Sequence, residues 1–370
     1  MQPRNTSVVH VLWSGQLGGI ERLVHDLAVE QSSRGFEVAV AFGQAEGFFA
    51  DRIRELSFPV IDLGVQSGHD FSPRRISAGA EKLSSYDLIH AHGYNVPLDQ
   101  IMSRSRRRIV FTEHGQFGLG RRLGISGLLK QRLQRRFLTD RSTAVAANSR
   151  WTAGLVTRTY GIDSDRVAVV HNGVAPHPNV SIEPRGQSAD QVVVAYVGQL
   201  KAFKRVDRII RAVALAGESD VRVLIAGSGP LEDSLRALAG ELGVAERFRF
   251  LGWTPQVTTV LKQADLIVLP SEGEPFGLAM VEGCAEGLLP VAFADGGGAL
   301  ECISPDGRVV DSVEELAGLF HEVRGSGALS LEARRARSEW ARSQFPISKT
   351  AAAYGELYRS ALGATLTPAR

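Results

Sequence analysis

The chain has 370 residues, about twice the usual size of a single domain, and that length predicts two domains. It is 44% hydrophobic and 22% charged, with a mean hydropathy of −0.03, a balance that excludes a largely disordered or collagen-like chain. The net charge of +2 hides an asymmetry: residues 1–180 carry 22 Lys+Arg against 16 Asp+Glu, and the remainder 20 against 24.

The basic excess gathers in Arg104–Arg141, with eleven basic and two acidic residues, so one half has reason to meet something anionic. No aromatic platform or helix-turn-helix pattern accompanies it, and nucleic acid is not expected as a partner. The longest apolar runs, Val192–Val197 and Leu288–Ala294, are strand-sized or broken by Pro290 and cannot span a bilayer. The opening residues hold no apolar signal core, and the two cysteines, Cys284 and Cys302, cannot build a disulfide framework. These features predict a cytoplasmic protein with reduced thiols.

In chain order, short β-branched runs alternate with amphipathic stretches. Strands are expected at Val8–Trp13, Glu37–Phe42, Val60–Leu63, Asp87–His92, Arg108–Thr112, Thr143–Ala147 and Val167–Val170, with helices such as Ile20–Gln31 and Ser149–Tyr160 between them. The second half repeats the scheme at Val192–Val197, Val221–Ala226, Phe248–Leu251, Leu266–Pro270 and Leu289–Phe293. Such alternation implies parallel sheets covered on both faces, because each crossover returns over the sheet. The expected organisation is an N-terminal domain over 1–175, a polar linker over 176–190 and a C-terminal domain over 191–345. A final helix near 347–362 follows Pro346. Two doubly wound α/β domains would face a central cleft, with ligands beyond the carboxyl ends of the strands.

The strongest chemical signal is Ala264–Glu282. A buried strand ends at Pro270, a polar loop carries Glu274, and a helix begins near Phe276 with Gly277 and Leu278 at its start and Glu282 inside it. Backbone N–H groups at a helix start, with the positive end of the dipole, suit a phosphate. A carboxylate within the helix suits the two hydroxyls of a ribose, and one before it suits sugar hydroxyls. Taken alone, the pair reads equally as a solvated loop Glu and an ordinary helix Glu.

The Glu274–Glu282 run resembles the E-x7-E signature of glycosyltransferase family 4, the retaining nucleotide-sugar transferases of GT-B fold. Further segments resemble that family in order: Gly18-Gly19-Ile20-Glu21, His90-Ala91-His92, Thr112-Glu113-His114-Gly115, Asn172-Gly173-Val174, Gly198-Gln199-Leu200 through Lys204, Gly227-Ser228-Gly229-Pro230, and Gly297-Gly298 with Glu301. The resemblance runs from about residue 8 to 358. It departs at Gln199, where Arg is usual, at Arg205, where Gly is usual, at Ala175 for Asp, and at Leu300 for Pro. A neutral Gln199 supplies a weaker bond to a phosphate than a charged group would, and Lys201 or Arg205 could restore the charge.

The resemblance implies transfer of a sugar from a nucleoside-diphosphate sugar to a hydroxyl of a glycan or lipid-linked acceptor. It places Lys204, Gln199 and the amides of Phe276, Gly277 and Leu278 on the diphosphate, Glu282 on the ribose, Gly227 near the base, and Glu274 and His114 on the sugar. Gly18 and Gly19 would border the donor, with Gly19 and His92 toward the acceptor. No metal or cofactor is expected. The alternatives are a GT-B epimerase or hydrolase, or a donor-binding protein without transfer.

His90 and His92 share a strand face, which also suits a metal, but no further ligands at suitable spacing stand near them in the sequence. In Arg121–Arg141, Ile125, Leu129, Leu133 and Phe137 recur every four residues among basic ones. That pattern fits a helix packed on its own domain with a solvated basic face, or one lying on an anionic membrane surface.

Overall fold

The computed structural model describes residues 5–16, 18–115, 124–175, 182, 191–217, 220–324 and 326–363. The proposed linker at 176–190 lies outside them apart from Ile182, as do Arg121 and Arg122. The chain divides into two units, Met1–Ala175 with Ile347–Arg370, and Pro176–Pro346.

The first unit holds seven parallel strands: β1 (Ser7–Ser14), β2 (Glu37–Gln44), β3 (Val60–Asp62), β4 (Leu88–His92), β5 (Arg108–Glu113), β6 (Ala144–Ala147) and β7 (Val167–Val169). Their order in the sheet is β3-β2-β1-β4-β5-β6-β7. The order reverses between β1 and β4, so the loops leaving those strands diverge there and open a crevice at their carboxyl ends. One sheet face carries Val8, Leu88, Val110 and Ala146, and it is covered by the helices Gly19–Ser33 and Ile347–Gly363. The covering rows follow helical spacing: Leu23, Leu27 and Gln31 on one helix, and Ile347, Ala351, Tyr354, Tyr358 and Ala361 on the other, all buried.

The last helix seats on the turn Asn172-Gly173-Val174. A Cβ on Gly173 would lie 2.6 Å from Ile347 Cα and 2.7 Å from Thr350 Oγ1. The Ile347 amide donates to the Val174 carbonyl at 3.0 Å, and Thr350 Oγ1 donates to the His171 carbonyl at 2.9 Å. Glycine is required at 173 because a helix backbone presses against it.

The second unit holds six parallel strands: β8 (Val192–Val197), β9 (Val221–Ala226), β10 (Phe248–Gly252), β11 (Leu266–Leu269), β12 (Leu289–Phe293) and β13 (Arg308–Val310), in the order β10-β9-β8-β11-β12-β13. Here the order reverses between β8 and β11. Strand β13 was not expected from sequence; it is three residues long and sits at the sheet edge, where no alternation can develop. The helix Leu278–Ala285 follows β11, and its carboxyl end is held by the helix Leu331–Gln344. Ser338 Oγ and Arg342 Nη2 donate to the Ala285 carbonyl at 2.7 and 3.0 Å, and the buried Arg337 donates to the Gly287 carbonyl at 2.7 Å. Cations there complement the negative end of the helix and fix its axis.

Candidate active site

In the second unit, the loops after β8 and β11 meet at the reversal point. The loop after β8 runs through Gly198 and Gln199 to a short turn, Ala202–Lys204, and the loop after β11 carries Ser271 and Glu274. The Glu272 amide donates to the Phe203 carbonyl at 2.8 Å, which ties the two loops together. Lys204 Nζ lies 2.6 Å from Glu274 Oε2, and Ser271 Oγ donates to the same oxygen at 2.7 Å.

Glu274 is further fixed through its backbone. It bridges to Gly297; its amide donates to the Gly296 carbonyl at 3.1 Å, and its carbonyl accepts from Gly298 at 2.7 Å. The late glycine loop is therefore a strap on Glu274. Gly277 has φ of 93°, the left-handed region that favours glycine, and precedes the helix Leu278–Ala285. The helix begins two residues later than the expected Phe276. Phe276 itself is buried, with its ring edge against Phe345 and its carbonyl accepting from Cys302 Sγ at 3.0 Å. Glu282 lies half-buried inside the helix.

Gly227 is held by packing. A Cβ there would come within 1.9 Å of the Gly198 carbonyl oxygen, so the turn after β9 presses on the loop after β8. The Leu200 amide donates to the Ser228 carbonyl at 3.0 Å, which locks the two loops in register.

In the first unit, the loops after β1 and β4 flank the other reversal point. Gly18 precedes the helix Gly19–Ser33, and a Cβ on Gly18 would strike Glu21 Oε2 at 2.1 Å. The Glu21 carboxyl folds back over its own helix start, and burial raises its pKa. A Cβ on Gly19 would meet nothing within 4 Å, leaving open space above that backbone. His114 follows β5, in a turn held by Glu113. The Glu113 carboxylate accepts from the Gly115 amide at 2.9 Å and from Gln134 Nε2 at 3.0 Å, and Gly115 has φ of 80°.

The parallel register puts His10 opposite His90 and His92 opposite Thr112. With period-two alternation, His10, His90, His92, Thr112 and His114 project from one face. They are buried and hydrogen-bonded. His10 Nδ1 lies 2.9 Å from His92 Nε2, and His92 Nδ1 lies 3.0 Å from His114 Nε2. His10 Nε2 meets Gln31 Oε1 at 2.8 Å, and Gln31 Nε2 donates to Tyr358 Oη at 3.0 Å. His90 Nδ1 and Nε2 meet Tyr358 Oη at 2.6 Å and Thr112 Oγ1 at 2.8 Å.

His10 is the third histidine that sequence spacing did not reveal, and His10, His90 and His92 lie close enough to share a metal ion. Both ring nitrogens of each are already engaged in hydrogen bonds, so a metal would have to displace bonds that satisfy the cluster. Burial depresses the pKa of all four histidines, to about 4 for His10 and His114, and they stand neutral near pH 7.

Residues 17–177 match the family described as Glycosyltransferase Family 4, and residues 181–324 match that described as Glycosyl transferases group 1. The fold is that of Anabaena HepE, solved with UDP and glucose: TM-score 0.80 at 20% identity, over 96% of this chain and all of that one. The chain is a glycosyltransferase of GT-B fold. A solved lipopolysaccharide-biosynthesis glycosyltransferase, WaaG, aligns with TM-score 0.71 at 18% identity, over 95% of this chain and 99% of that one. In sequence, the glycosyltransferase is 29% identical over 324 residues to the D-inositol 3-phosphate glycosyltransferase of Nocardia farcinica, covering 77% of this chain and 71% of that protein.

One departure of this glycosyltransferase from the pattern it resembles has a structural account. Arg205 stands at φ of 47°, which explains why glycine is usual there. Its guanidinium is engaged by Asp207, through Nε and Nη2 at 3.0 and 3.1 Å, and by Glu272 at 3.8 Å. Arg205 is thus committed to its neighbours and does not offer a free charge in place of Gln199. Gln199 and Lys201 are exposed on the same loop.

The basic segment forms the helix Ile125–Asp140. Phe137 and Leu138 are buried, but Ile125, Leu128, Leu129 and Leu133 are 89, 55, 60 and 39% exposed. The apolar stripe packs on the unit only toward its carboxyl end.

Proposed function

We propose that this glycosyltransferase moves a sugar from a nucleoside-diphosphate sugar to a hydroxyl of a glycan or lipid-linked acceptor, with retention at the anomeric carbon and without a metal. The observation that carries the reading is the Lys204–Glu274 pair at the strand-order reversal, on loops of which the second leads into the Glu282 helix. Lys204 and the amides of Gly277 and Leu278 take the diphosphate, whose negative charge grows as the anomeric C–O bond breaks. Glu282 holds the ribose, and Glu274 and His114 hold the sugar. The open space above Gly19 leaves room for the reacting groups. The leaving phosphate oxygen takes the proton of the attacking hydroxyl on the same face, which accounts for retention.

The structures of HepE with UDP and with UDP-glucose support a nucleoside-diphosphate sugar as the donor class. The exposed apolar stripe of Ile125–Asp140, flanked by Lys130, Arg132, Arg135 and Arg136, supports docking on an anionic membrane surface that would present a lipid-linked acceptor. A screen of UDP-, GDP- and ADP-sugars for nucleoside-diphosphate release, with and without EDTA, tests the reading. Release from one donor class that survives EDTA is expected. Release from none would overturn it, and turnover with no acceptor product across a broad panel would move it to a hydrolase.

A further inference from the structure

The buried histidines form a single file of hydrogen bonds with one loose end. From the interior outward it runs Gln31, His10, His92, His114. Its outer atom, His114 Nδ1, is buried and has no hydrogen-bond partner among the described residues. Neutral imidazole carries one N–H and one lone pair, so fixing either nitrogen fixes the other.

The polarity follows from Gln31. Its carbonyl Oε1 faces His10 and can only accept, so His10 must donate from Nε2 and accept at Nδ1. His92 then donates from Nε2 and accepts at Nδ1. His114 in turn donates from Nε2, which leaves a bare lone pair at Nδ1. In this orientation Gln31 Nε2 donates to Tyr358 Oη, leaving the Tyr358 hydroxyl proton for His90 Nδ1. The opposite amide orientation would reverse every bond and leave a buried N–H at His114 without an acceptor. Folded proteins avoid that more strictly than an unfilled lone pair.

We propose that His114 accepts, through Nδ1, a hydrogen bond from a hydroxyl group of the bound sugar, and that Gln31 sets it in that state through His10 and His92. The ligand class at this atom is a hydroxyl donor. A carbonyl or carboxylate would face the lone pair and be rejected. Gln31, His10 and His92 are positioning residues: they do not touch the ligand but determine which nitrogen of His114 carries the proton. The depressed pKa values of the cluster keep charge from overriding this arrangement. The ligand half of the inference rests on the placement of His114 on the donor sugar proposed above; the tautomer half does not.

The test is long-range proton–nitrogen NMR on the full chain with 15N-labelled histidine, in the absence of ligand. His114 Nδ1 is expected at the shift of an unprotonated nitrogen and Nε2 at that of a protonated one. A protonated Nδ1 in the wild type overturns the proposal. Gln31→Met removes the amide while keeping similar bulk, and should convert His114 to a mixture of tautomers. Should that variant fail to fold, His10→Phe cuts the same chain one link further out. An unchanged His114 tautomer in whichever variant folds overturns the assignment to Gln31. In the active enzyme the mixed tautomer should raise the KM for the sugar donor about three- to tenfold, the scale of one neutral hydrogen bond, while binding of the bare nucleoside diphosphate stays level. A shifted tautomer with unmoved donor kinetics would uphold the chain and overturn the placement of His114 on the sugar.

Discussion

Lys204 and Glu274 hold one another across two loops, Nζ to Oε2 at 2.6 Å, with side chains only 15 and 9% exposed. On the proposed placement, a donor diphosphate would draw Lys204 away from a carboxylate that already satisfies it. Glu274→Gln should relieve that competition, leaving nucleoside-diphosphate binding level or tighter by up to about 2 kcal/mol, while kcat falls. Lys204→Ala should do the reverse to affinity, and it also strands Glu274, for a stability loss of about 3 kcal/mol or more. Calorimetry with a nucleoside diphosphate and its monophosphate reads both. Equal weakening of the two ligands by Lys204→Ala would remove Lys204 from the β-phosphate.

Glu282 sits inside the helix Leu278–Ala285, beyond the loop that carries Glu274, and its proposed partner is a different part of the donor. Glu282→Ala should weaken nucleoside-diphosphate binding by about 1.5–3 kcal/mol, the range for hydrogen bonds to a charged group. Deoxyribose analogues should lose far less on the same substitution. An equal loss would show that Glu282 does not hold the ribose.

Because Arg205 is bound up with Asp207 and Glu272, the cation left on the described loop to serve beside Gln199 is Lys201. Lys201→Ala should weaken the diphosphate more than the monophosphate, and Gln199→Arg, which crowds a second cation beside Lys201, should bring no gain or a loss. Arg205→Gly should leave affinity level. Its stability change should be small, since releasing a left-handed residue gains about 1 kcal/mol and losing a part-exposed ion pair costs up to about as much. Thermal melts and calorimetry on these three variants separate the roles, and a large affinity loss in Arg205→Gly would restore Arg205 to the phosphates.

The buried histidines make the first unit acid-sensitive. Their folded pKa values lie below the unfolded value of about 6.5, so between about pH 6.5 and 4 the unfolded chain binds more protons than the folded one. Stability present above pH 6.5 is lost as pH falls through that window, on the order of a few kcal/mol for His10 and for His114. Denaturant titrations at pH 7 and 5 should show it. His10→Phe should flatten the dependence, and a wild-type stability independent of pH across the window would contradict the assignment.

The exposed stripe of Ile125–Asp140 gives a separate prediction. Sedimentation with vesicles containing anionic lipid should pull the protein down, and vesicles of zwitterionic lipid alone should not. Ile125→Glu together with Leu129→Glu should abolish binding without lowering the melting temperature, since both side chains face solvent. Retention by neutral vesicles, or binding indifferent to the two substitutions, would place the contact elsewhere.

Much of the fold is legible because each strand is a compact β-branched run: Val192–Val197 forms β8 with the expected bounds, and Ile347–Gly363 extends the expected last helix by one residue. The edge strand at Arg308–Val310 is too short to announce itself. Individual site residues were legible as motifs, but their couplings were not. Lys204 and Glu274 stand seventy positions apart, and nothing local to either predicts that they pair. His10 looks like an isolated polar residue in an apolar strand; only the β1–β4 register turns it into a link between Gln31 and His92. Gly227 was expected near the nucleotide base and Gly173 only as part of a turn, and a Cβ on either would strike a neighbouring backbone. The stripe from Ile125 to Phe137 shows the limit of periodicity, which marks an apolar face without saying how much of it the protein covers.

The placement of Ile347–Gly363 in the first unit sets an order of assembly. On the ribosome, all of residues 176–346 must emerge before the segment that finishes the first unit exists. Until then the face bearing Leu88, Val110 and Ala146 lacks one of its two covering helices, and the Tyr358 hydroxyl is missing from Gln31 and His90. The second unit draws its core from residues 192–323 and has every strand in hand by then. The half synthesised first is thus the half completed last. A chain terminated before Ile347 would carry a finished β8–β13 sheet attached to a partner whose apolar face is open and whose Gln31 has lost its contact with Tyr358.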